Sequence, residues 1–185
     1  MISLPFRRTS QGGNINALYG MIVAQARSPE FYRGYGVPDT VEGRLDMIVL
    51  HMVLVLRQLT LAHGVLPPAG QQLFDRFCQD MDDNFREMGV GDLAVPKRMQ
   101  KVGEAFYGRA KVYESALLDE MPAALETAVS RNVFGAPEPT LGARRLAAYM
   151  RAVAAHISQR DADALAAAKF EFPDPVSVAD GTLQV

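Results

Sequence analysis

Residues Asp46-Met47-Ile48-Val49-Leu50-His51-Met52-Val53-Leu54-Val55-Leu56-Arg57 decide how this chain folds. Leu45, Ile48, Val49, Met52, Leu56 and Leu59 recur at helical spacing, and Leu50, Val53, Leu54 and Val55 make the other sides apolar as well. A helix apolar all round belongs inside a protein or inside a membrane. The unbroken run from Met47 to Leu56 carries His51 and falls far short of the roughly 20 residues that span a bilayer, so it predicts a buried central helix. Asp39 and Glu42 have the spacing of a capping box at its start, and Gly64 with Pro67-Pro68 ends it.

The neighbouring segments read as partners for that helix. Ile15, Leu18, Met21, Ile22 and Ala26 mark a first helix from about Asn14, closed by Pro29, and residues 1–13 are expected to be a flexible arm. Phe31 to Pro38 reads as a compact loop. Leu73, Phe74, Phe77, Cys78, Met81, Phe85 and Met88 form the apolar stripe of a third helix, after which Gly89 suits a left-handed cap and Pro96 the first turn of a fourth. That fourth helix buries Met99, Val102, Phe106, Tyr113 and Leu117. Its Gly103 and Gly108 each cost about 1 kcal/mol relative to alanine, which points to a close backbone approach, either of a packed helix or of another chain in a groove. Pro122 opens a shorter helix with Leu125, Val129 and Val133. Leu146, Tyr149, Met150, Val153 and Ile157 mark a last long one, Asp161 caps one further turn, and residues 171–185 read as an extended tail. The expectation is an all-α, single-domain irregular bundle of about six helices over residues 14–170. Ile48, Val49, Met52, Phe74, Phe77, Met81 and Phe106 should share one core.

Composition narrows the function. The chain has 185 residues and a net charge of -2, with 19 basic against 21 acidic side chains. That balance argues against a nucleic-acid coat and against specific DNA binding. One cysteine, Cys78, provides no intramolecular disulfide, suits a reducing cytoplasm, and on an apolar stripe reads as packing. Basic residues at the N-terminus are followed by Gln11-Gly12-Gly13-Asn14 rather than an apolar core, so no export signal is read. His51 reads as a satisfied core histidine and His63 as a cap or surface group, since neither has a carboxylate at ligand spacing. Asp80, beside the Phe77 and Met81 stripe, reads as a salt bridge or a cap to another segment. No catalytic residue, metal or cofactor is expected from this inventory.

A more specific signal lies in short runs: Gln25-Ala26-Arg27, Phe31-Tyr32, Gly36-Val37-Pro38-Asp39-Thr40 with Gly43-Arg44, Phe74-Asp75, Asp80-Met81-Asp82, Arg86-Glu87-Met88-Gly89-Val90-Gly91-Asp92, Val95-Pro96-Lys97 and Phe106-Tyr107-Gly108-Arg109. In order and spacing they resemble the ubiquinol-cytochrome c chaperone family, over roughly Leu18 to Leu118. The resemblance implies a non-enzymatic assembly chaperone that binds newly made cytochrome b and supports biogenesis of the bc1 complex. Mitochondrial members of that family are peripheral to the inner membrane, work with a small partner protein and sit near the ribosomal tunnel exit. Without a mitochondrial targeting extension, this chain is similar to a bacterial form, expected in the cytoplasm and at the cytoplasmic face of the inner membrane. Aromatic residues in a Gly-rich loop and a basic helix start then become the expected client-binding set: Phe31, Tyr32, Tyr35, Val37, Lys97, Arg98, Lys101 and Arg109. The same rings would equally serve as a lid on the core. Two other readings stay open, a lipid or quinone carrier and an enzyme with a pocket between helices.

Overall fold

The computed structural model describes residues 7–119 and 121–179. Helices α1 (Arg7–Ala26), α2 (Pro29–Arg33), α3 (Val41–His63), α4 (Pro68–Glu87), α5 (Val95–Leu118), α6 (Pro122–Val133), α7 (Leu141–Ser158), α8 (Ala162–Ala166) and α9 (Pro175–Ala179) follow one another, and no strand occurs among the described residues. The six long helices are those the periodicity marks. The three short ones, each of five residues, are additions.

Helix α3 runs through the middle, packed by α1, α4, α5, α6, α7 and α8. By length and composition alone it could cross a bilayer. Here every residue from Met47 to Val55 is buried, so protein rather than lipid satisfies its apolar surface. Helices α1 and α4 pair on one side and α6 with α7 on another, while α5 closes the bundle against α3, α4 and α6. Ile48, Val49, Met52, Phe77, Met81 and Phe106 lie in one core cluster, with Phe74 half-buried against it.

Sequence and structure differ in several places. Helical backbone reaches back to Arg7, earlier than the expected start at Asn14, while residues 1–6 of the expected arm lie outside the described residues. Thr40, not Asp39, caps α3: its hydroxyl accepts from the Gly43 amide at 3.1 Å, and Asp39 instead pairs with Arg44 at 2.7 Å. Gly43 has a second reason to lack a side chain, because a Cβ there would collide with the Pro38 carbonyl. Pro29 closes α1 and also opens α2, so Phe31 and Tyr32 stand on a helical turn rather than a loop. The tail through residue 179 is docked, with Pro173 and Pro175 buried; residues 180–185 lie outside the described residues.

Candidate functional site

Two polar centres interrupt the apolar interior. At the first, His51 is fully buried on α3. Its Nδ1 stands 2.8 Å from the Met47 carbonyl, which can only accept, so Nδ1 carries the hydrogen. Nε2 therefore accepts from the Tyr149 hydroxyl at 2.9 Å, and Tyr149 in turn accepts from Gln25 Nε2 at 2.9 Å. Gln25 also donates to the Pro173 carbonyl at 3.1 Å, and the Tyr35 hydroxyl donates to Pro175 at 2.8 Å. Burial pushes the imidazole down to about 4, so the ring is neutral near pH 7, and burial pushes the Tyr149 phenol well up. Phe31 lies edge-on to Tyr149 at 4.9 Å, and Phe172 edge-on to His51 at 5.2 Å. His51 is thus the satisfied core histidine that its surroundings in sequence predict.

The second centre joins α3 to α5. Arg109 Nη2 meets Asp46 Oδ1 at 2.6 Å, yet desolvation outweighs that cation and raises the Asp46 carboxyl to about 6. Arg109 Nε and Tyr113 Oη are buried with no partner among the described residues. Elsewhere Asp80 accepts from Tyr19 at 2.8 Å and lies 3.7 Å from Arg76, the inter-segment pairing expected of it. Burial raises the Cys78 thiol, in keeping with packing.

The expected client-contacting residues divide. Phe31, Tyr35 and Val37 are buried, at 0%, 2% and 2% exposure, so they are core residues and not a contact surface. The reason is the docked segment 172–175, which covers them. Tyr32 is half-buried, its hydroxyl donating to the Ala26 carbonyl at 2.7 Å. Lys97, Arg98 and Lys101 are exposed at the start of α5, and Arg109 is spent on Asp46. The structure therefore does not assemble these residues around one groove.

An apolar groove does exist one step further along α5. Val53, Leu56 and Thr60 of α3 and Leu66 of the following connection face Phe106, Tyr107 and Ala110 of α5, enclosing about 270 Å³ with Lys111 and Glu114 at the rim. Tyr107 is 62% exposed despite stacking near Phe74 and Phe106. The one hydroxyl in the apolar wall, on Thr60, is turned back to the Leu56 carbonyl at 2.9 Å. Gly103, one turn before Tyr107, has no atom within 4 Å of where a Cβ would stand, and neither has Gly108. The expectation that another helix of this chain packs on them is wrong, and their cost to the helix is unexplained by internal packing. Tyr107, the most exposed ring, was legible only as part of the Phe106-Tyr107-Gly108-Arg109 run. His51, Asp46, Tyr113 and Tyr149, the groups with displaced titration, do not line this groove.

Among curated proteins none matches the sequence. The family described as ubiquinol-cytochrome C chaperone matches residues 33–172, well past the Leu18–Leu118 span of the quoted runs. A crystal structure of the Cbp3 homolog from Brucella abortus is similar in fold, with a TM-score of 0.79 and 35% identity, covering 92% of this chain and 96% of that one.

Proposed function

The chain belongs to the ubiquinol-cytochrome C chaperone family, and on that premise we propose that it is a non-catalytic assembly factor for the bc1 complex that holds newly made cytochrome b. The observation that carries the reading is the α3–α5 groove. A membrane-protein client exposes apolar helices before insertion, and such a segment needs an apolar channel with a charged rim. Tyr107 supplies an exposed aromatic anchor, and bare backbone at Gly103 lets a chain approach closely. Exposed Leu61, Val65 and Leu66 prolong the apolar surface at the end of α3. Lys97 and Lys101 extend the charged rim, and the protein works at the cytoplasmic face of the inner membrane, near the ribosome that delivers its client.

A groove of about 270 Å³ with a ring this exposed favours a segment of chain over an enclosed lipid or quinone. The test is capture of cytochrome b by the tagged chain in cells that make both. Tyr107→Glu puts a charge in the channel and Gly103→Leu fills it; each should abolish capture while leaving the thermal midpoint near that of the parent. Capture that survives both changes places the client on another surface.

A further inference from the structure

A second concave site shares no residue with the groove. Arg27 just past α1, Arg33 at the end of α2 and Arg44 in the first turns of α3 converge on a hollow of about 370 Å³ that Pro29, Tyr32 and Asp39 complete. Three guanidinium groups face a single carboxylate. Asp39 engages Arg44 through Nε at 2.7 Å, which leaves the terminal nitrogens of Arg44 for another acceptor. Among the described residues Arg27 and Arg33 make no ion pair, whereas Arg76, Arg86, Arg109 and Arg144 each do. The Tyr32 hydroxyl is committed to the Ala26 carbonyl, so its ring is held in place, with Arg44 Cζ 6.0 Å from the ring centroid.

From this arrangement we infer that the hollow is a binding site for a phosphate group. Guanidinium forks match phosphate oxygens bidentately, and a tetrahedral anion presents oxygens in three directions, as three arginines from three elements require. A planar carboxylate would leave one of them unused. The ring of Tyr32 and the Pro29 side chain give the site an apolar wall, which suits a phosphate carried on an organic group. Two sources share that chemistry, a soluble phosphate ester and an anionic phospholipid headgroup.

The experiment titrates the full chain with pyrophosphate by calorimetry and, separately, sediments it with phosphatidylcholine vesicles made with and without phosphatidylglycerol. The double variant Arg27→Gln/Arg33→Gln should weaken binding by about tenfold or more, because two charge-assisted contacts are lost. Arg131→Gln/Lys169→Gln, which removes the same charge from exposed positions elsewhere, should stay within about twofold of the parent. Loss of phosphatidylglycerol-dependent sedimentation in the first variant assigns the headgroup as the source, and an effect on pyrophosphate alone assigns a soluble ester. Binding of neither probe, equal weakening by both double variants, or binding only of a glutamate-rich peptide overturns the site. None of these results bears on cytochrome b capture, so the two proposals fail separately.

Discussion

The two buried polar centres make opposite use of similar materials. At His51 every nitrogen and hydroxyl that enters the core has a partner: Met47 takes the Nδ1 hydrogen, Tyr149 donates to Nε2, and Gln25 ties Tyr149 to Pro173. At Asp46 the ion pair with Arg109 forms, but Arg109 Nε and Tyr113 Oη are left over. A fully satisfied network fixes one arrangement of the segments it joins, whereas a partly satisfied one costs free energy wherever it sits. The difference identifies the α1–α3–α7 side as the rigid part and the α3–α5 seam, which also forms the groove, as the part that opens more readily.

Titration separates the centres most strongly. Folding holds His51 near 4 against an ordinary 6.5, so its neutral state contributes stability that is complete above pH 6.5 and lost as pH falls toward 4. Asp46 works the other way. Its carboxyl is raised to about 6 from 3.8, so its contribution is complete below 3.8 and declines as pH rises through 6. Between pH 4 and 6 the two slopes oppose and the parent should be nearly flat. Asp46→Asn removes one slope, and urea midpoints should then fall by about 3 kcal/mol equivalent from pH 6.5 to 4. A flat profile in that variant would mean His51 is not the buried neutral base described.

A smaller effect comes from Tyr149→Phe, which leaves His51 Nε2 without a donor and frees one Gln25 hydrogen. It should cost about 2 kcal/mol at neutral pH, measured as a shifted urea midpoint at unchanged slope. Next is Arg109→Met, expected to cost about 1 to 2 kcal/mol at pH 8, less than a fully matched buried pair because Asp46 can take up a proton. The loss should shrink toward pH 5, where Asp46 is protonated in the parent too. A pH-independent loss would place the contribution of Arg109 in packing. Smallest is Gly103→Ala, expected to stabilise by about 0.5 to 1 kcal/mol because nothing stands where the methyl group goes. Destabilisation there would mean that α5 is packed more closely than the groove implies.

Much of the bundle is legible because helical periodicity is a local signal. Phe77, Met81, Leu146 and Val153 declare their faces within a few residues, and the isolation of His51 in an apolar run marks it as a satisfied core group. Its partner Tyr149 lies 98 residues away, and nothing local joins the two. Phe31, Tyr35 and Val37 mislead for the same reason. Exposed aromatics in a Gly-rich stretch and buried ones look alike until the distant segment that covers them is known, and Pro173 and Pro175 read as a tail. Gly103 and Gly108 announce an unusual surface without saying whether this chain or another meets it. Tyr107 is an ordinary member of an aromatic stripe until the other side of the groove is in place.

The docking of residues 172–175 also orders events in time. Gln25 and Tyr35 emerge from the ribosome early, yet the carbonyls they serve at Pro173 and Pro175 belong to the last part of the chain to be made. Until then their donors must turn to water, and Phe31 and His51 lack the cover that Phe172 and its neighbours provide. The helices can gather during synthesis, but the core around His51 is sealed only as translation ends. This protein, proposed to guard an unfinished client, is itself unfinished until its final residues arrive.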